Sequence, residues 1–335
     1  MVYHIYNTQN ERIGILQNYS SIQWMPRYDE TGTFEIHVLD TKENIQLLQI
    51  GNRLIRQDDG TIGFIEYTYS KDRELEIRGH MDNLNNRINR STVQLKKVLE
   101  GLYDLVNKNK RKLPITTAGI VLPDTTIDQQ TTWQEIRKTF SEICKKTGYG
   151  YRMVKDGDEF NVIQLYRCKE NEDILFSEEL NNVIAESYLQ NMSDYKNFAY
   201  VAGEGEGNAR TVVEVDQTDG GERFEVFVDA KDLQKVWLDE SGTEHRLTDT
   251  EYDEQLRQRG INVLKEHPKI EEFQCEIDLT NESYIYKIDY QLGDIVKIKS
   301  QKYGFIKLFR LTGLDEVDEG GLKLTGMLTA YVKKG

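Results

Sequence analysis

The 335-residue chain has little proline, four residues in all, and no low-complexity run, which argues against long disordered linkers. Cysteine is as scarce. Cys144, Cys168 and Cys275 are widely spaced and odd in number, which argues against a disulfide framework and for folding in a reducing cytoplasm. The Asn-x-Ser sequons at Asn18, Asn89, Asn191 and Asn281 then carry little meaning, because glycosylation requires secretion. The N-terminal MVYHIYNTQNERIG has neither a basic start nor an apolar core, so no secretory signal is read there. No stretch approaches the ~20 apolar residues of a membrane-spanning helix, and no membrane insertion is expected. Basic residues fall short of acidic ones, 43 against 57. The net charge of −14 disfavours general or sequence-specific nucleic-acid binding, though not a passage through which DNA slides.

At this length the chain should split into two or more domains. Tyrosine is frequent, 19 residues against 11 Phe and 3 Trp, which suits half-buried strands and interfaces. Residues 1–85 read as consecutive strands. In TFEIHVL, Phe34, Ile36 and Val38 alternate with Glu35 and His37, the period of a half-buried strand. A short helix is expected at ENIQLL. NRLIRQ, TIGFIEYTY and ELEIRG then form a meander around the turn Asp58-Asp59-Gly60, and the sheet is expected to close as a small barrel.

Residues 86–175 change character and read as an α/β module. TVQLKKVLEGLYDLVNKN carries Val98, Leu99, Leu102, Leu105 and Val106 at helical spacing. A second helix is expected from the capping-box pattern Thr132-Trp133-Gln134-Glu135, with Trp133, Ile136, Phe140 and Ile143 on one face and Gly148 as its stop. A hairpin follows, turning at Lys155-Asp156-Gly157-Asp158. Residues 176–202 and 272–335 return to strands and are expected to share a second, discontinuous barrel. The intervening 203–271 reads as a small mixed α/β insertion. Within it, RTVVEVD with RFEVFVDA, and VWLDESGTEHRL turning near Ser241-Gly242, read as two hairpins. A helix then runs through EYDEQLRQRGINVLKEH to Pro268, after a weak cap at Thr248-Asp249-Thr250.

Two distant stretches echo each other. Gln49-Ile50-Gly51-Asn52 matches Gln291-Leu292-Gly293-Asp294, and Gly63-Phe64-Ile65 matches Gly304-Phe305-Ile306. Leu75-Glu76-Ile77-Arg78-Gly79 matches Leu322-Lys323-Leu324-Thr325-Gly326. Three landmarks in one order indicate a duplicated structural unit, in which Met327 takes the place of Met81.

The motifs that might carry chemistry weaken on inspection. VAGEGEGNAR (201–210) has a Gly-x-Gly turn after a strand, but the third glycine of a dinucleotide fingerprint is Asn208. The chain continues into a strand, and Glu204 and Glu206 would repel phosphate. His80-Met81-Asp82 contains His-x-Asp, yet no other His or Cys stands at ligand spacing. Asp156-Gly157-Asp158-Glu159 is a fragment of a calcium loop without its remaining ligands. KNKRK (108–112) follows a helix and suits its C-terminal dipole. Cys144 lies on a helix face with Phe140 and Ile143 and reads as core. No residue is assigned as catalytic, cofactor-binding or metal-ligating, and no cofactor is expected.

Taken in order, LQNYSSIQWMPRYDETGTFEIHV, IGNRLIRQDDGTIGFIEY, KNFAYVAGEGEG, RFEVFVDAKDL and DYQLGDIVKIK resemble the siphophage tail-hub proteins of phages and prophages of Gram-positive bacteria, also called tail-associated or baseplate hub proteins. The likeness spans essentially the whole chain. It implies a mainly β, α+β multidomain fold with two related β-barrel domains and two smaller α/β domains. It further implies a homotrimer forming a pseudo-sixfold ring that closes or continues the tail tube, in a virion tail tip made in the host bacterial cytoplasm. Implied partners are the distal tail protein, the tail tube or tape-measure protein, and receptor-binding proteins. The chain ends at TAYVKKG just after the second copy, so a C-terminal enzymatic extension is not carried over and no enzyme is expected. The alternatives are a tail-associated cell-wall hydrolase acting through carboxylates, and a carbohydrate-binding adhesin using exposed Tyr and Trp.

Overall fold

The computed structural model describes residues 1–119, 123–238, 244–278, 281 and 283–331. Strands dominate, and the chain separates into two compact units, Met1–Tyr188 with Phe273–Gly335, and Leu189–Glu272.

The first half of the larger unit is built from β1 (Tyr3–Tyr6), β2 (Arg12–Ile15), β3 (Tyr19–Met25), β4 (Thr33–Leu39), β5 (Arg53–Arg56), β6 (Ile62–Lys71) and β7 (Glu74–His80). The alternation read in TFEIHVL holds. Phe34, Ile36 and Val38 are buried with Trp24, whose ring lies 5.0 Å from Tyr3 and 5.5 Å from Phe34. Helix α1 (Lys42–Leu47) forms where expected, because Thr41 Oγ1 accepts from Asn44 N at its start.

The module that follows contains β8 (Val93–Lys97), α2 (Val98–Asn109), β9 (Thr116–Thr117), β10 (Thr126–Thr131), α3 (Ile136–Thr147), β11 (Gly150–Asp156) and β12 (Glu159–Tyr166). Two expectations need correction. The first five residues of TVQLKKVLEGLYDLVNKN from Val93 on are strand, because their backbone pairs with β10 before the helix begins. Helix α3 starts at Glu135 without a side-chain cap, and Trp133 sits before it at φ +48, 66 % exposed and off the core face. Ile136, Phe140 and Ile143 do face the core, and Gly148 closes the helix.

In the second half, β13 (Glu170–Phe176) and β14 (Val183–Asn191) precede the smaller unit. That unit, described by itself, has β15 (Phe198–Ala202), β16 (Val212–Asp216), β17 (Glu225–Asp229), β18 (Val236–Leu238), β19 (Glu244–Arg246) and α4 (Asp249–Glu266). The expected hairpin of RTVVEVD with RFEVFVDA does not form. β16 and β17 flank β15, antiparallel and parallel respectively, so that Val213, Val215 and Val228 share one face against α4. β18 and β19 pair, while their turn at Ser241-Gly242 lies outside the described residues. The cap at Thr248 is stronger than the sequence suggested: Thr248 and Glu251 form a reciprocal capping box.

The chain then adds β20 (Ile270–Ile277), β21 (Ile295–Ser300), β22 (Phe305–Asp318) and β23 (Leu322–Ala330). The two halves have the same strand order. One runs β3-β4-β7-β6-β5, the other β14-β20-β23-β22-β21, and β22 pairs with β3 to join them into one 13-stranded sheet. Among the described residues this pairing is an open path, and no closed barrel is found.

Hydrogen bonds identify the true equivalences. Gly51 N donates to Ile65 O and Gly293 N to Leu311 O, each at a turn closed by its Gln carbonyl, with glycine at φ +92 and +99. Both long strands then carry a bulge at the next step, Ile65/Tyr67 and Leu311/Gly313. Ile65 therefore corresponds to Leu311, both buried, whereas Ile306 is 63 % exposed. The second hairpin is four residues longer, so its Gly-Phe-Ile sits near the tip and only coincidentally matches the first. Leu75 corresponds to Leu324, and Gly79 to Leu328.

Gly79 packs against the bulge, where a Cβ would lie 1.7 Å from Phe64 O, while at Gly326 the nearest atom is 3.2 Å away. Gly79→Ala should therefore destabilise by about 3 kcal/mol, and Gly326→Ala by less than about 1 kcal/mol. Urea denaturation of both variants checks this, and equal losses would contradict the register.

Candidate functional site

A buried polar cluster lies where the two halves meet. β5 ends in the turn Asp58-Asp59-Gly60, held by Asp59 Oδ1 accepting from Thr61 N and Oγ1 at 3.0 and 2.6 Å. This presentation aims Arg56 at β22. Its two terminal nitrogens donate to the two Glu316 oxygens at 2.7 Å each, and its Nε to Asp58 at 2.7 Å. Both side chains of the pair are almost wholly buried. Lys287 Nζ closes the cluster, 2.7 Å from Asp58 and 2.6 Å from Asp59.

Burial works against charge throughout, but the partners outweigh it. Arg56 is desolvated, yet the Glu316 carboxylate raises its pKa above the usual value. Asp59 is likewise desolvated, yet Lys287 and Arg56 lower its pKa. Such a network adds little net stability over a packed apolar contact, but it penalises every misaligned pairing of the halves.

Tyr28 is the other anchor. Its ring occupies the space that a Cβ at Gly150 or Gly293 would need, its hydroxyl donates to Gly148 O at 3.0 Å, and its carbonyl accepts from Tyr151 N. It thus touches the first half, the module and the second half together. Nearby, Arg27 NH1 donates to Asp315 at 2.8 Å across the β3–β22 seam.

These groups border a cavity of about 230 Å³, lined among others by Trp24, Asp82, Tyr151, Tyr166, Lys287 and Glu316. Each lining carboxylate already holds a cation: Glu30 with Lys145, Asp59 with Lys287, Asp82 with Arg137, Glu316 with Arg56.

The motifs singled out in the sequence are scattered and engaged elsewhere. The 201–210 loop leaves β15, turns through Gly203, and is tied down by Tyr252 of α4. Glu204 N donates to the Tyr252 hydroxyl at 2.8 Å, and Arg210 donates to Gly203 O and Ala202 O. It leads through a single 3-10 turn, Gly207–Ala209, into β16 and not into a long helix. His80 and Asp82 point to different partners, Glu66 and Arg137. Asp156 and Glu159 pair across the β11–β12 turn. The KNKRK stretch closes α2, with Arg87 donating to Lys110 O and Arg111 O. Cys144 is buried in the module core, and burial raises its pKa further. Among the described residues no group of three or more His, Cys, Asp or Glu could hold a metal ion. No helix among them is long and apolar enough to cross a membrane.

Comparison with known proteins places this arrangement. The family model for Siphovirus ReqiPepy6 Gp37-like proteins matches residues 2–324. The chain belongs to this family. No curated protein sequence matches it. Among solved structures, this Gp37-like chain is similar to the 43 kDa tail protein of prophage MuSo2 from Shewanella oneidensis, with TM-score 0.59, 12 % identity and 98 % of each chain covered. It is also similar to prophage tail protein gp18 from Listeria monocytogenes EGD-e, with TM-score 0.56, 10 % identity, and 99 % of this chain and 95 % of that one covered. The tail protein from Neisseria meningitidis MC58 gives TM-score 0.55 and 11 % identity, with 98 % and 96 % covered. At these identities the likeness is one of fold, and it spans nearly the whole of each chain.

The joint of the Gp37-like chain was not read from its sequence. Arg56, Lys287 and Glu316 were ordinary strand or loop residues there, with Arg56 more than two hundred positions from the other two. Their one signal was the Asp58-Asp59-Gly60 turn beside a strand, RLIR, whose arginines are both buried.

Glu316→Gln leaves part of the Arg56 charge buried and should cost about 3 kcal/mol in urea denaturation, while Arg56→Met with Glu316→Leu should cost clearly less. Asp29, next in sequence to the cavity-lining Glu30, has its pKa pushed up by burial to about 6, although Lys145 pulls it down. The folded form holds that proton more tightly than the unfolded chain does. Its contribution is therefore full below about 4 and is lost as pH rises to about 6. Asp29→Asn should flatten stability over that window in a pH series of melts.

Proposed function

We propose that the chain is a structural, non-enzymatic hub of a phage or prophage tail tip. In this reading three copies form a ring that closes or continues the tail tube and anchors host-recognition parts. The two halves, 1–85 and 176–188 with 273–335, act as the related ring-forming β domains. The module 86–175 and the smaller unit 189–272, into which β15 falls, are accessory. The observation that carries the reading is the repeated five-strand order, with the second half already joined edge to edge to the first. A chain whose halves carry the same strand pattern can present three copies to a sixfold tube as six similar units.

Partners in this reading are the distal tail protein, the tail tube or tape-measure protein, and receptor-binding proteins, and the protein resides in the virion. The acidic balance of the chain suits a ring through which DNA passes without being held.

The test is mass in solution at high concentration, with negative-stain imaging alone and with tail partners. A threefold ring is expected. A particle that stays monomeric in both settings overturns the proposal. Sugar or peptide released from Gram-positive cell walls, and lost on acidic-to-amide substitution, would replace it with a hydrolase.

A further inference from the structure

On the α/β module a group of cations stands without carboxylate partners. Arg87, Arg90, Lys110, Arg111 and Lys112 lie around the end of α2 and the segment that leads into β8. Among the described residues none of the five forms an ion pair, although acidic residues outnumber basic ones 57 to 43. Lys108 beside them does pair, with Asp104 at 3.2 Å.

Hydrogen bonds gather these residues on one surface, because residues 87–92 run between the end of α2 and residues 131–135. On the α2 side, Arg87 Nε donates to Lys110 O at 2.9 Å, Arg111 Nη1 to Ile88 O at 3.3 Å, and Arg90 N to Asn109 Oδ1 at 3.4 Å. On the other side, Asn89 N donates to Gln134 O at 2.8 Å, and Thr92 Oγ1 lies 3.0 Å from Thr132 Oγ1. Arg90 and Ser91 therefore lie opposite Trp133, between those two contacts. Trp133 is held at φ +48, a conformation that aromatic residues rarely adopt, and is 66 % exposed, while Ile88 is 40 % exposed. Glu135, bridged to Ile88, brings one negative charge to the same stretch.

The dipole of α2 accounts for part of this. Arg87 caps the last carbonyls, and Lys110 Nζ donates to Asn107 Oδ1 and Ile115 O. It does not account for Arg90 and Lys112, which are exposed and donate no side-chain hydrogen bond among the described residues. Nor does it account for an exposed indole and an exposed isoleucine beside them. Arginine and tryptophan are enriched among the residues that dominate protein interfaces, and arginine clusters commonly read acidic motifs. Carbonyls hold Arg87 and Arg111 in place before any partner arrives, which lowers the ordering cost of binding.

We propose that this surface binds a short acidic segment of another protein, with carboxylates on Arg90, Arg111 and Lys112 and an apolar side chain against Trp133 and Ile88. Charge complementarity selects the acid, and the size of the patch selects a short segment. A nucleic acid extending past the patch would meet a chain of net charge −14, and its binding depends on accumulating phosphate contacts. This binding needs the module alone and is independent of the hub reading.

Fluorescence anisotropy of a fluorescein-labelled peptide of repeated Glu-Glu-Leu units, titrated with the full chain at moderate ionic strength, tests it. Saturable binding is expected, weakened by added salt. Arg90→Glu with Lys112→Glu should weaken it at least about tenfold and leave the melting temperature unchanged. The same reversal at Lys42 of α1 and Lys323 of β23, both exposed, changes the net charge equally and should keep binding within about twofold. Trp133→Ala should weaken binding of the Leu-containing peptide about tenfold, but not that of a peptide with Ser in place of Leu. Absence of binding, equal losses from the two charge reversals, or insensitivity to Trp133→Ala would overturn the proposal. Tighter binding of an oligothymidylate of equal charge would overturn it in favour of a nucleic-acid surface. Each of these outcomes would leave the hub reading standing.

Discussion

The pairing of β22 with β3 is the constraint on which the larger unit depends. Three register pairs, from Glu316↔Trp24 to Asp318↔Ile22, join strands almost three hundred residues apart. Backbone hydrogen bonds alone would not choose this alignment, because a strand edge accepts many registers. The choice is made by side chains around the seam. Glu316 meets Arg56 only when β22 lies at this height, Arg27 meets Asp315 beside it, and Tyr28 fills the space left by Gly293. A slip would leave an arginine or a glutamate buried without a partner, which is far costlier than the intact pair is favourable.

The rest of the unit is arranged around that seam. The α/β module packs on the same turn, with Ile55 and Ile62 contributing to its core and Lys155 N donating to Gly60 O. Arg53, the other buried arginine of β5, reaches Asn161 of the module. One four-residue strand therefore ties the first half to the second half through one arginine and to the module through the other. Beside it lies the cavity, each of whose lining carboxylates holds a cation.

Much of the local structure was legible. The period-two strands, the short helix α1, the apolar faces of α2 and α3 and the β11–β12 turn all depend on neighbours in sequence. So does the Gln-x-Gly turn, where a left-handed glycine is needed in both copies. Errors arose where a neighbour in space decided. β10 drew Val93–Lys97 into a strand, β15 separated β16 from β17, and the longer second hairpin shifted two of the three repeat landmarks out of register. The candidate chemistry was read as weak because each motif lacked its required company, and the structure shows each engaged in a local contact instead.

By itself the sequence determined that the chain is mainly β, that a β unit recurs, and that an α/β module lies between the copies. Alternation and turn residues are properties of short segments and survive without a fold. Only the tertiary structure decided that both copies share one open sheet and that Arg56 belongs to Glu316. Those facts rest on which strand edges meet and in what register, and hydrogen bonding between edges is set by three-dimensional placement that no local spacing encodes.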